Sequence, residues 1–216
     1  MAELVLSTEN GTDIIALDRR QAHIAAALVE ITLSPSETQH LRSLRHDVRR
    51  SELQARRALL RHLVGHRLGV LPEDVAIETG YEGAPSLIGH PLFISASSRE
   101  HCVAAAISTE PVGIDVEGLI PLDAIPRALM HPGEIAFVDE QPIADRPKAA
   151  ALLWAAKEAV WKAATMPLSR DPASFQVVID SGRVTVAGQG LERLTGTVTW
   201  RSDLQSALAV VTMARA

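Results

Sequence analysis

The chain has 216 residues, 47% of them hydrophobic, 22% charged and 3% aromatic, with a net charge of −5. This is an ordinary globular composition with enough apolar material for a core, and so few aromatic rings argue against stacking platforms for single-stranded nucleic acid. One cysteine, Cys102, excludes an internal disulfide and fits a reducing cytoplasm. Met1-Ala2-Glu3-Leu4 lacks the basic and apolar regions of a signal peptide. No run approaches the roughly 18–20 apolar residues of a membrane span.

In chain order, Ser34-Pro35-Ser36-Glu37 is a capping box with proline at the first helical position. A long helical pattern follows over roughly residues 46–68, closed by Gly69. It carries most of a basic cluster: residues 42–67 hold eight arginines against Asp47 and Glu52, a local balance of +6 that leaves −11 elsewhere. An exposed, salt-bridged helix face accounts for most of these, and one or two could meet an anionic ligand or acidic partner. His62 and His66 have metal-ligand spacing, but no glutamate follows His62 as a zincin requires, so both are expected on the helix surface. Val75–Thr79 is strand-like, and Gly80, Gly83 and Pro85 form a turn rather than a phosphate loop. Cys102–Ser108 is an apolar strand, with Cys102 a small core residue.

Val112-Gly113-Ile114-Asp115-Val116-Glu117 opens the second half as a short strand. His131-Pro132-Gly133-Glu134 repeats the Pro-x-Glu spacing 97 residues after the first capping box. A helix over roughly 147–164 comes next, opened by Pro147 and ended before Pro167, followed by strands at Phe175–Ile179 and Ser206–Thr212. The order predicts an α+β (α/β) fold of two tandem, pseudo-twofold-related subdomains, residues 1–108 and 109–216. Each is a long helix packed on a small, mainly antiparallel sheet.

The chemistry concentrates in the second half. Side chains at i and i+2 of a strand share a face, which sets Asp115 and Glu117 side by side, roughly 7 Å apart. Two such carboxylates either face water or share a cation, and Mg²⁺ suits one or two carboxylates plus phosphate and water. On the helix, Trp154, Glu158 and Lys162 follow i, i+4, i+8 spacing along one stripe. Core tryptophans beneath a surface Glu–Lys pair would give the same pattern. Only three lysines occur against eighteen arginines, however, and two of them, Lys157 and Lys162, flank Glu158. Lysine and arginine are not interchangeable where a compact charge meets a phosphate or moves a proton.

Gly113-Ile114-Asp115-Val116-Glu117 followed by Trp154-Ala155-Ala156-Lys157-Glu158-Ala159-Val160-Trp161-Lys162 resembles the paired signature of the 4′-phosphopantetheinyl transferases, in their longer, pseudo-dimeric Sfp-type form. Leu33–Glu37, Arg57–Leu60, Gly83-Ala84-Pro85, Phe93–Ser97 and Ser174-Phe175 fall in the family's order. The resemblance implies transfer of the phosphopantetheine arm of coenzyme A to a serine of an acyl or peptidyl carrier protein, releasing 3′,5′-ADP. It implies that Asp115, Glu117 and Glu158 hold Mg²⁺ (or Mn²⁺), that Glu158 is the base, and that Lys157 and Lys162 contact phosphates. It places coenzyme A at Arg57, Gly83, Pro85, Ser95 and Ser97, with a cleft between the halves as the site. A cytoplasmic monomer with no nucleic-acid or membrane partner is expected.

Three positions depart from the pattern. The family's Ser-His-Ser is Ser95-Ala96-Ser97, its Gly-Lys-Pro is Gly83-Ala84-Pro85, and its Gly-x-Gly-Leu loop is Thr165-Met166-Pro167-Leu168. Each lost charge-assisted hydrogen bond costs roughly 1.5–3 kcal/mol of binding, with Arg99 or His101 as candidate substitutes. One alternative is therefore a degenerate member that binds coenzyme A or a carrier without turnover. Another is a metal-dependent nuclease, against which the acidic total, the scarce aromatics and the helical setting of Glu158 and Lys162 all argue.

Overall fold

The computed structural model describes residues 6–7, 11–31, 33–80, 83–167 and 169–214. The amino-terminal tetrapeptide and Leu168 therefore lie outside the described residues. Contacts divide the chain into two compact units, Met1–Thr109 and Glu110–Ala216.

The first unit has the sheet order β1 (Leu6–Ser7), β2 (Asp13–Asp18), β6 (Cys102–Ser108), β5 (Phe93–Arg99), antiparallel throughout. Helix α3 (Asp47–Leu68) lies on this sheet, ending at Gly69 in the left-handed conformation (φ 69°) that spares glycine a steric penalty. Helices α1 (Ala22–Glu30) and α2 (Pro35–Ser43) and the short hairpin of β3 (Ile77–Thr79) and β4 (Pro85–Leu87) complete the unit. The capping box at Ser34 forms as expected, and the turn at Gly80 closes through Gly80 N donating to Ala84 O. The strand expected from Val75 begins only at Ile77, because Val75 closes a 3₁₀ turn over Pro72–Asp74.

The second unit has the order β7 (Val112–Glu117), β11 (Ser206–Met213), β10 (Leu194–Arg201), β9 (Arg183–Ala187), β8 (Gln176–Asp180), again antiparallel. In both units the last strand lies between an early strand (β2 or β7) and the penultimate strand. Helix α4 (Pro132–Asp139) opens on the His131 capping box, and α5 (Arg146–Ala163) packs over the sheet. Short hydrophobic side chains let helix and sheet approach closely: Ala155, Ala156, Ala159, Val160 and Ala163 meet Ala207, Ala209 and Val211 in one core. Cys102 is fully buried on β6 of the first unit, whose core takes the alternate residues Val103, Ala105 and Ile107.

Contact between α5 and β7 is tightest at Gly113, where a Cβ would stand 1.9 Å from Ala159 O and 2.7 Å from Ala163 N. No side chain fits, and the backbone on both sides is fixed by regular hydrogen bonding. Since residues two apart share a strand face, the helix that covers Gly113 is also the element toward which Asp115 and Glu117 point. Gly113→Ala should therefore destabilise the fold by at least about 2 kcal/mol, read by urea denaturation, whereas Gly190→Ala, with nothing within 4 Å, should cost only the strain of its positive φ.

Candidate active site

Asp115 and Glu117 lie on β7, 6% and 8% exposed. From α5, the Lys162 ammonium reaches across to donate to Asp115 Oδ1 at 2.6 Å and to Ile114 O at 3.1 Å. Glu158, one turn earlier on the same helix, is half-buried. Burial holds its carboxyl above the usual carboxylate range; the charge of Asp115 adds to the rise and that of Lys162 opposes it. The structure therefore brings Asp115, Glu158 and Lys162 into one electrostatic group. Glu117 adjoins on the strand and accepts from Gly118 N at 3.0 Å.

The expected three-acid metal set is not assembled. Among the described residues no three of His, Cys, Asp and Glu gather closely enough to hold a metal ion. A physical reason is visible: an ammonium already lies against Asp115. The donor chemistry nevertheless fits a hard divalent cation, because all the ligands on offer are carboxylate oxygens and one of them already holds a positive charge. Mg²⁺ commonly takes only one or two protein carboxylates, with water and phosphate completing its shell.

Lys157 departs from its expected place among the phosphates. It is 2% exposed, and its three donors are all taken within the unit: by Glu134 Oε1 at 2.7 Å, Glu134 Oε2 at 2.8 Å and Phe175 O at 3.0 Å. Its ammonium also lies 4.1 Å from the Phe175 ring centroid. Burial pulls its pKa down, and the Glu134 carboxylate opposes that. Sequence reasoning missed Glu134 as a partner, although the capping box that contains it was visible.

In the first unit, Arg57 is buried on α3. Its Nη2 donates to Thr79 Oγ1 at 2.7 Å and its Nε stands 3.8 Å from Glu37 Oε1, while Nη1 is buried without a hydrogen-bond partner. Thr79 pairs with Pro85 in the β3–β4 hairpin, so Arg57 and Pro85 are brought to the same place, with the exposed Gly83 (φ 82°) at the turn. Ser95 and Ser97 are buried on β5 but not beside Arg57. Ile94 and Ala96 pack in the core under α3, so strand alternation turns Ser95, Ser97 and Arg99 to the opposite face. Position 96, where the family's histidine is replaced, is the one that shares a side with Arg57. Arg56 stands on that side, donating to Ser98 Oγ at 3.0 Å, a cation the motif search passed over. His62 is half-buried and His66 exposed on α3, away from any metal cluster among the described residues.

Comparison with known proteins bears on this geometry. Residues 111–212 match the family model of the 4′-phosphopantetheinyl transferase superfamily. Over 151 residues, 66% of this chain, the sequence is 33% identical to the 4′-phosphopantetheinyl transferase psf-1 of Bacillus pumilus, covering 62% of that protein. Among solved structures, the holo-[acyl-carrier-protein] synthase of Thermotoga maritima aligns at 19% identity with a TM-score of 0.40, over 49% of this chain and 64% of that one. The matches thus span under two thirds of the length of either relative.

Two outcomes follow from these environments. Breaking one partner of a buried ion pair leaves a charge uncompensated, so Glu134→Gln and Lys157→Met should each destabilise by about 3–5 kcal/mol. The double variant should cost clearly less than their sum in a urea-denaturation cycle. Glu158 works the other way. A carboxyl whose folded pKa lies above its unfolded value lets the fold bind more protons, so stability falls as pH rises between the two values and stays reduced above them. In metal-free buffer Glu158→Gln should therefore melt higher than wild type at neutral and alkaline pH. The difference should vanish below about pH 4, where the unfolded carboxyl is also protonated.

Proposed function

We propose, because residues 111–212 match the family model of the 4′-phosphopantetheinyl transferase superfamily, that this chain moves the 4′-phosphopantetheine arm of coenzyme A onto a serine of an acyl or peptidyl carrier protein. The observation that carries the reading is the meeting of β7 and α5, where Asp115, Glu158 and Lys162 form one charged group at the position of the family's signature residues. In this reaction the serine oxygen forms a bond to the phosphorus that bears the pantetheine arm. The bridging P–O bond breaks and its electron pair leaves with 3′,5′-ADP.

Phosphoryl transfer asks a protein mainly for positioning and charge neutralisation. Asp115 and Glu158, with Glu117 adjoining on the strand and water and phosphate completing the shell, would hold a divalent ion, Mg²⁺ or Mn²⁺, which when bound would neutralise the pyrophosphate of coenzyme A. Glu158 accepts the serine proton, a task suited to a carboxyl whose burial has already raised its proton affinity. Lys162, 30% exposed at its side chain, has the freedom to meet the charge developing on the departing 3′,5′-ADP. Lys157 does not share that role; it fixes the helix that carries the other two. Arg57 has an unsatisfied guanidinium nitrogen in a buried setting, which suits an anion such as the 3′-phosphate of coenzyme A. No helix among the described residues is long and apolar enough to cross a membrane, and the reading is of a monomeric cytoplasmic enzyme.

A second reading, binding without turnover, is favoured by Ala84 and Ala96, which supply no charge where the family has a lysine and a histidine. Mass spectrometry of apo carrier proteins incubated with coenzyme A and Mg²⁺ separates the two. Transfer predicts a serine gaining one phosphopantetheine, and a fall of at least about a hundredfold in rate for Glu158→Ala. Carrier or coenzyme A binding with no mass gain on any carrier would favour the second reading.

A further inference from the structure

We propose that Lys162 is a built-in counter-cation: its ammonium occupies Asp115 until a divalent ion displaces it, and the displaced ammonium then passes to the phosphates of the nucleotide substrate. The identity of that substrate rests on the transferase reading above; the competition at Asp115 does not.

The geometry is specific. Lys162 Nζ lies 2.6 Å from Asp115 Oδ1 and 3.1 Å from Ile114 O, a contact distance at which no metal ion fits between amine and carboxylate. Asp115 is buried, with its side chain 8% exposed, whereas Lys162 remains 30% exposed. The carboxylate is thus fixed in the strand, and the mobile member of the pair is the lysine, on a flexible four-carbon stem. Without the ammonium, the charge of Asp115 would act on Glu158 with no cation to oppose it, since Lys162 is the group that offsets Asp115 there. A lysine here stabilises the metal-free site and, for the same reason, opposes the metal. An arriving divalent ion must take over Asp115 and cannot tolerate the ammonium on the same oxygen. Two events are thereby coupled: the metal releases a cation, and a phosphate-bearing ligand stabilises the released position. Metal and nucleotide should bind with positive cooperativity that passes through Lys162.

The probe is Mn²⁺, titrated into the full chain with free Mn²⁺ read by electron paramagnetic resonance, first without coenzyme A. K162M should bind Mn²⁺ about tenfold more tightly than wild type, while K162R, which keeps a cation, and K148M, which removes a charge near the start of α5, should lie within about threefold of it. Saturating coenzyme A, after correction for its own Mn²⁺ binding, should tighten Mn²⁺ binding to wild type and leave K162M nearly unchanged. Should K162M fail to fold by circular dichroism, K162Q carries the same expectation. Equal or weaker Mn²⁺ binding in the neutral variant, no binding by either protein, or coenzyme A coupling that survives in it would each overturn the proposal. Mn²⁺ affinities as expected with no labelling of any carrier would instead overturn the transferase reading and leave the counter-cation standing. Labelling with unaltered affinities would do the reverse.

Discussion

A glutamate buried at the start of a short helix, gripping a cation on the long helix that follows, is the interaction on which each unit is built. In the second unit Glu134 accepts from His131 N and Val177 N as well as from Lys157, and Lys157 donates onward to Phe175 O. Every polar atom of the pair is satisfied, the condition under which a buried ion pair stops being a liability. Three elements, α4, α5 and β8, are tied at one point. In the first unit Glu37 caps α2 and receives Arg61 Nε and Nη2, and Arg61 Nη1 continues to Pro72 O and Val75 O. The two devices are the same in kind: a capping glutamate, a cation one helix later, and carbonyls of the segment after it.

From that anchor the candidate site follows by helical geometry. Successive residues of an α-helix point about 100° apart, so sinking Lys157 into the core turns Glu158 toward the flank where β7 runs. Lys162 lies four residues beyond Glu158, on the same stripe and one turn along, and it is this side chain that reaches Asp115. Gly113 supplies the remaining requirement, a strand surface bare enough for the α5 backbone to settle on it. The glycine of the acidic motif is therefore a packing residue. It brings the carboxylates of the strand within reach of the helix.

Much of this was legible in the sequence, and the exceptions have physical causes. Capping boxes, proline openings and the glycine stop are local signals, so both long helices fall within one residue of their expected limits, at Asp47–Leu68 and Arg146–Ala163. Strand alternation set Asp115 and Glu117 together for the same reason. The rarity of lysine points to phosphate chemistry at Lys157, whereas its buried pairing with Glu134 across 23 residues is a tertiary fact. A signal for it did exist: Glu37 and Glu134 are 97 positions apart, and Arg61 and Lys157 are 96 apart. Carrying the repeat one helix further would have paired both cations with their glutamates. The three-acid cluster failed for a different reason. Counting carboxylates does not reveal that a lysine on the same stripe will neutralise one of them. The separation of Ser95 and Ser97 from Arg57 also needed the sheet, because only the packing of Ile94 and Ala96 shows which face of β5 lies under α3.

The repeated anchor also explains why a chain so rich in arginine writes lysine at position 157. In the first unit the cation must span a wide gap, and the guanidinium of Arg61 reaches one carboxylate with Nε and Nη2 while its far nitrogen meets carbonyls of the next loop. In the second unit the acceptors are compact, two oxygens of Glu134 and one carbonyl within 3.0 Å of a single nitrogen, beneath the Phe175 ring. A planar fork cannot place its donors on three acceptors around one point, but an ammonium can. The wider version carries a consequence of its own. Glu37 is shared between Arg61 and Arg57, Oε1 accepts no hydrogen bond, and Arg57 keeps a buried nitrogen without a partner. Where the second unit has closed its pair completely, the first retains an unsatisfied cation. The asymmetry follows from sharing: one carboxylate divided between two guanidinium groups cannot satisfy both, whereas Glu134 serves a single ammonium.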